Sequence, residues 1–68
     1  MKHLVIDFKE KPFHILEDKD IIYVEEFNRL IIDKVGHIDI KDGYVKVYFR
    51  RSQNINIELD LCKTISID

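Results

Sequence analysis

From His37 to Leu61 the chain alternates apolar and polar residues, the mark of strands with one buried and one wet face. Ile38 and Ile40 share one parity; Val45, Val47 and Phe49 share another, which Ile55, Ile57, Leu59 and Leu61 continue. Between the first two runs stands Asp42-Gly43, a strong signal for a two-residue type I′ hairpin. With that pair in the loop, Lys41 meets Tyr44, Ile40 meets Val45, Asp39 meets Lys46 and Ile38 meets Val47. Apolar residues then face apolar ones and one opposite-charge pair forms. Taking Ser52-Gln53-Asn54 as a three-residue loop, with Asn54 left-handed, puts Phe49 opposite Ile57, Val47 opposite Leu59 and Val45 opposite Leu61. Lys46 would then sit between Asp39 and Asp60, and such flanking pairs favour one register over its slips. The expectation is a three-stranded meander. Past Leu61 the parity stutters at Lys63, so Cys62 to Ile67 reads as a bulged extension of the last strand or a short separate one.

The N-terminal half is less regular. His3 to Phe8 reads as a strand with Leu4, Ile6 and Phe8 on one face. Pro12 disfavours the αR region at Lys11, so Lys9 to Pro12 reads as a break. Phe13 to Leu16 reads as a second strand, and a hairpin with the first would set Phe8 opposite Phe13 and Ile6 opposite Ile15. Glu17 to Asp20 reads as a turn, with Asp20 the best available N-cap.

Residues 21 to 35 admit two readings. Val24, Phe27, Ile31 and Val35 fall at helical spacing, while Glu25, Arg29 and Asp33 make opposite-charge i, i+4 steps behind them. Gly36 stands where a left-handed C-cap belongs, so the spacing predicts a helix over about 22–35. The rival is a strand hairpin turning near Asn28, in keeping with the β-prone run Ile21-Ile22-Tyr23-Val24. With the helix chosen, the expected fold is α+β: an antiparallel sheet of four to five strands in the order β-β-α-β-β-β, one helix packed on its apolar face.

Size and charge bound the function. At 68 residues and 8.2 kDa the chain has room for one domain, 1–68, and for no deep enclosed site. Hydrophobic residues make up 46% and charged residues 35%, a globular balance. A net charge of −2 handicaps non-specific nucleic-acid binding. The single cysteine, Cys62, fits a reducing compartment, and no signal-peptide or membrane-span pattern is expected, which together predict a cytoplasmic protein.

Motifs with chemistry are few. His3, His14 and His37 lack metal-ligand spacing, Cys62 has no activating neighbour beyond Lys63, and no Gly-rich phosphate loop or nucleophile constellation is present. Neither enzyme activity, cofactor nor metal is expected. The outer face of the central meander strand carries Tyr44, Lys46, Tyr48 and Arg50, aromatics interleaved with cations, which is raw material for stacking single-stranded bases. Asp39, Glu58 and Asp60 share that face and offset its charge, so the plainer reading is a solvated face. Arg50-Arg51 heads a basic, polar tip able to grip an anionic group on a partner.

The expected function is therefore protein binding. Tyr44, Lys46, Tyr48, Arg50 and Arg51 are the candidate contact residues, and the free-standing Ile-, Lys- and Asp-rich chain suits a phage or mobile-element regulator or inhibitor of a larger host protein. The alternative is single-stranded nucleic-acid binding through the outer sheet face. The long C-terminal run, Ile55 to Ile67, is expected at a sheet edge, where a second copy could pair to form a homodimer.

Overall fold

The computed structural model describes residues 2–15, 17–49 and 53–67. Its elements are strands β1 (Lys2–Phe8), β2 (Ile21–Val24), β3 (Arg29–Lys41), β4 (Tyr44–Phe49), β5 (Gln53–Glu58) and β6 (Cys62–Ile67). Two short 3-10 turns, Glu25–Phe27 and Leu59–Leu61, interrupt them. All ladders are antiparallel and form one sheet in the order β5-β4-β3-β1-β6, with β2 beside the first part of β3.

The sheet must curl. Strands β5 and β6 lie at opposite ends of that order yet are joined by the Leu59–Leu61 turn alone. Three 3-10 residues span about 6 Å. The end strands of a flat five-stranded sheet stand about 19 Å apart, at about 4.8 Å per step. The lysine amide just past β1 closes the same end, Lys9 N–H donating to Leu61 C=O at 2.9 Å. A curled sheet covers its own apolar face. Leu4, Ile6, Ile32, Val45 and Val47 are wholly buried in one cluster with Phe8, Leu30, Val35 and Phe49, and no helix covers them among the described residues.

Strand β3 makes the bend through two bulges. Opposite β1 the register runs from Lys2↔Val35 to Leu4↔Ile32, which leaves one extra residue in β3. Lys34 takes the left-handed conformation there, at φ 58°. Opposite β4 it runs from Val35↔Phe49 to His37↔Tyr48, with Gly36 the extra residue. Each bulge flips the parity, so Leu30 and Ile32, then Val35, then Ile38 all turn toward the same interior.

This overturns the α+β expectation. The expected helix is the β2–β3 hairpin, turning through Glu25–Phe27 with Asn28 left-handed at φ 49°. Of the supposed stripe Val24, Phe27, Ile31 and Val35, only Val35 is buried, so its helical spacing matches no buried face of the hairpin. Phe27, central to the supposed helical stripe, is 63% exposed, whereas Leu30 and Ile32 are buried. The supposed i, i+4 charges find partners elsewhere: Glu25 pairs with Lys11 of the loop at 3.4 Å, while Arg29 and Asp33 pair across to β1, with Asp7 at 2.7 Å and His3 at 3.2 Å. Asp20 caps no helix; its carbonyl accepts from Asp33 N–H at 2.8 Å and extends the β2–β3 ladder. Gly36 is no left-handed C-cap, and among the described residues Gly43 is the glycine with positive φ.

Three more expectations change. Residues 13–15 form no strand, and β1 pairs with β3 and β6 rather than with them. The Asp42-Gly43 hairpin has the predicted register pair for pair, but β5 sits four residues away from its expected place on β4. Val47 faces Ile55, Val45 faces Ile57 and Lys46 faces Asn56, so Asp60 does not flank Lys46. An even shift keeps the inner face inside and changes only the partners. The run from Ile55 to Ile67 is not one long edge strand: a turn carrying Asp60 breaks it, and Cys62–Ile67 is the short separate strand, the second of the two readings above.

Candidate functional site

After β1 the chain runs through a loop before β2 begins at Ile21, and its residues Pro12–Ile15 come up beside the free edge of β5. Between them lies a groove of about 460 Å³. Its floor is apolar, formed by Phe8, Ile21 and Leu30 from the core margin. Pro12, Phe13, His14 and Ile15 make one wall; Ile55 to Glu58 and Leu61 make the other. Pro12 fixes its own φ and lacks an N–H, which keeps this part of the loop extended and out of the ladders. Phe13 stands 94% exposed at the rim, its ring edge-on to His14 at 4.7 Å. An aromatic so placed gains nothing from the fold itself.

The expected contact residues lie on another surface. Tyr44, Lys46 and Tyr48 project from the outer face of β4, where Asp39, Lys41, Asp42 and Asn56 complete a shallow depression of about 380 Å³. Lys46 Nζ sits 5.5 Å from the Tyr48 ring centre, and the His37 ring lies 5.4 Å from it on a tilted plane. His37 in turn reaches Asp39 at 3.4 Å. Asp39 also stands opposite Lys46 in the β3–β4 ladder, so the face is polar and its charges are mixed in sign. Arg50 and Arg51 lie outside the described residues.

Away from these two surfaces, Asp7 and Arg29 form an ion pair between β1 and β3. The Arg29 guanidinium hydrogen-bonds Asp7 and holds its carboxyl below the usual carboxylate range, while Asp7 raises Arg29 in return. Burial pushes the Cys62 thiol up, the opposite of what a nucleophile needs, and its Sγ lies 3.5 Å from the Glu58 carbonyl. No group of three His, Cys, Asp or Glu side chains converges among the described residues, and no helix there is long and apolar enough to cross a membrane.

Sequence reasoning placed a surface at the C-terminal edge but missed the wall opposite it. The available signal was Pro12-Phe13-His14-Ile15, two apolar residues just after a proline, which the sequence assigns to a strand beside β1. Comparison with protein-family models, curated proteins and solved structures finds no match for this chain, so the groove's chemistry alone carries the reading of function.

Proposed function

We propose that this chain is a small protein-binding module whose contact surface is the groove between β5 and the Pro12–Ile15 wall. The observation behind the reading is Phe13, an almost fully exposed aromatic at the rim of an apolar groove. Exposed apolar surface next to a concavity is costly in water and characteristic of an interface. The outer face of β4, with Tyr44, Lys46 and Tyr48, is a secondary contact surface in this proposal, since its cations and carboxylates already neighbour one another.

The test is a selection of peptide binders from a random library against the folded chain, repeated on Phe13→Asp. Because Phe13 touches little of the fold, the variant keeps the wild-type melting temperature. Binders selected on the wild type lose about tenfold or more in affinity, the cost of an unburied aromatic anchor. Equal binding to both proteins would remove the groove as the contact surface.

A further inference from the structure

The groove runs along a strand edge, and one hydrogen bond shows which groups that edge presents. Leu59 N–H donates to Gly43 C=O at 2.8 Å, just past the Tyr44↔Glu58 pair. A bond in that position makes Tyr44↔Glu58 a non-hydrogen-bonded pair of the antiparallel ladder. Pairs of one class recur every second residue, so Asn56 and Asn54 belong to it as well. The N–H and C=O groups of Asn54, Asn56 and Glu58 therefore point away from β4, while those of Ile55 and Ile57 point into it. Among the described residues no strand pairs with β5 on that outer side.

The groove lies where those groups point. Ile55, Asn56, Ile57 and Glu58 all line it, although alternate side chains of a strand leave on opposite faces. Four consecutive residues can border one groove only where it follows the backbone edge. The edge thus presents the N–H groups of Asn54, Asn56 and Glu58 and the carbonyls of Asn54 and Asn56 above an apolar floor, while the Glu58 carbonyl already meets the Cys62 thiol. Among the described lining residues Glu58 is the one carboxylate, and neither lysine nor arginine is present.

Resting on the protein-binding reading above, we infer that the groove takes an extended segment of a partner protein as an added strand on β5. The segment's alternate apolar side chains enter the groove, and a lysine or arginine of the partner meets Glu58. Backbone pairing supplies affinity and the alternate side chains supply selectivity, as in other strand-addition interfaces. The charge argues against a second copy as the occupant. Strand β5 contains no cation between Gln53 and Glu58, so another β5 paired over that stretch brings a second carboxylate and no counter-charge from the strand itself.

The experiment uses the full chain and decamer peptides selected on it from a random library. Three readouts follow: peptide sequence, affinity after N-methylation of alternate peptide amides, and amide exchange in the protein. The expected result is enrichment of alternating apolar residues with a terminal lysine or arginine. N-methylation on the bonding side weakens binding about tenfold or more, the loss of one or two hydrogen bonds. Glu58→Gln weakens it severalfold without lowering the melting temperature, and the Asn54, Asn56 and Glu58 amides become protected. Peptides that bind, depend on Phe13, yet leave those amides exposed and tolerate N-methylation would overturn strand addition while the binding-module reading stands. Peptides indifferent to Phe13→Asp would overturn both. Protection of those amides in the free protein that rises with its concentration would assign the edge to a second copy and overturn the inference.

Discussion

Asp7 and Arg29 form a two-pronged ion pair directly across the β1–β3 ladder, Nε to Oδ1 at 2.7 Å and the second guanidinium nitrogen to Oδ2 at 3.1 Å. The pair joins two residues 22 positions apart in sequence and fixes the β1–β3 register at the end where the loop departs. Arg29 also lies over the Phe27 ring, 5.3 Å from its centre, so one side chain ties the turn to the sheet.

A pH dependence follows. The folded carboxyl of Asp7 titrates below its unfolded value of about 3.9. Its contribution is complete above that value and is lost as pH falls through the folded one. Denaturant unfolding between neutrality and pH 3 should therefore show a smaller acid loss for Asp7→Asn than for the wild type. Both side chains are partly solvated, so the difference is modest and shrinks in high salt.

Asn28 distinguishes the hairpin from a helix by sign. In a helix interior Asn28→Ala would stabilise, because alanine has the better propensity. In the hairpin Asn28 is left-handed at φ 49° and accepts a bond from the Tyr23 hydroxyl at 3.0 Å. Alanine there pays the left-handed penalty and loses the bond, a destabilisation of about 1–2 kcal/mol. Asn28→Gly restores about 1 kcal/mol of it by removing the Cβ conflict. Melting temperatures of the three proteins decide the matter.

The hairpin at Asp42-Gly43 was legible because a two-residue turn and a period of two leave one register. The stretch around Asn28 was not, since side-chain spacing cannot tell a bulged strand from a helix. Lys34 gives no hint that it will be left-handed, and the partners of Glu25, Arg29 and Asp33 come from β1 and loop 9–20. Parity along β5 was readable, but its register depends on how the sheet closes. In the fold, Leu59 and Leu61, expected to face Val47 and Val45, form the turn that crosses to β6. The groove was half-legible: its edge strand was foreseen, while the Pro12–Ile15 wall depends on the loop's path.

The β4–β5 register can be trapped chemically. Lys46 and Asn56 face each other as a non-hydrogen-bonded pair, the closer of the two antiparallel types. In a Cys62→Ser background, Lys46→Cys with Asn56→Cys should oxidise to an intramolecular disulfide, since such pairs fall within disulfide reach. Lys46→Cys with Asp60→Cys should not, because Asp60 lies in the turn after β5. Mass spectrometry under mild oxidation reads the outcome, and the reverse pattern would restore the register expected from sequence.

Residue-resolved amide exchange of the free protein tests most directly whether the β5 edge is open. The amides of Ile55, Ile57 and Leu59 bond across to β4 or its turn, whereas those of Asn54, Asn56 and Glu58 face the groove. The predicted result at micromolar concentration is alternation, with slow exchange at 55, 57 and 59 and fast exchange at 54, 56 and 58. Uniformly slow exchange along the strand would show that the edge is already covered and would contradict the account.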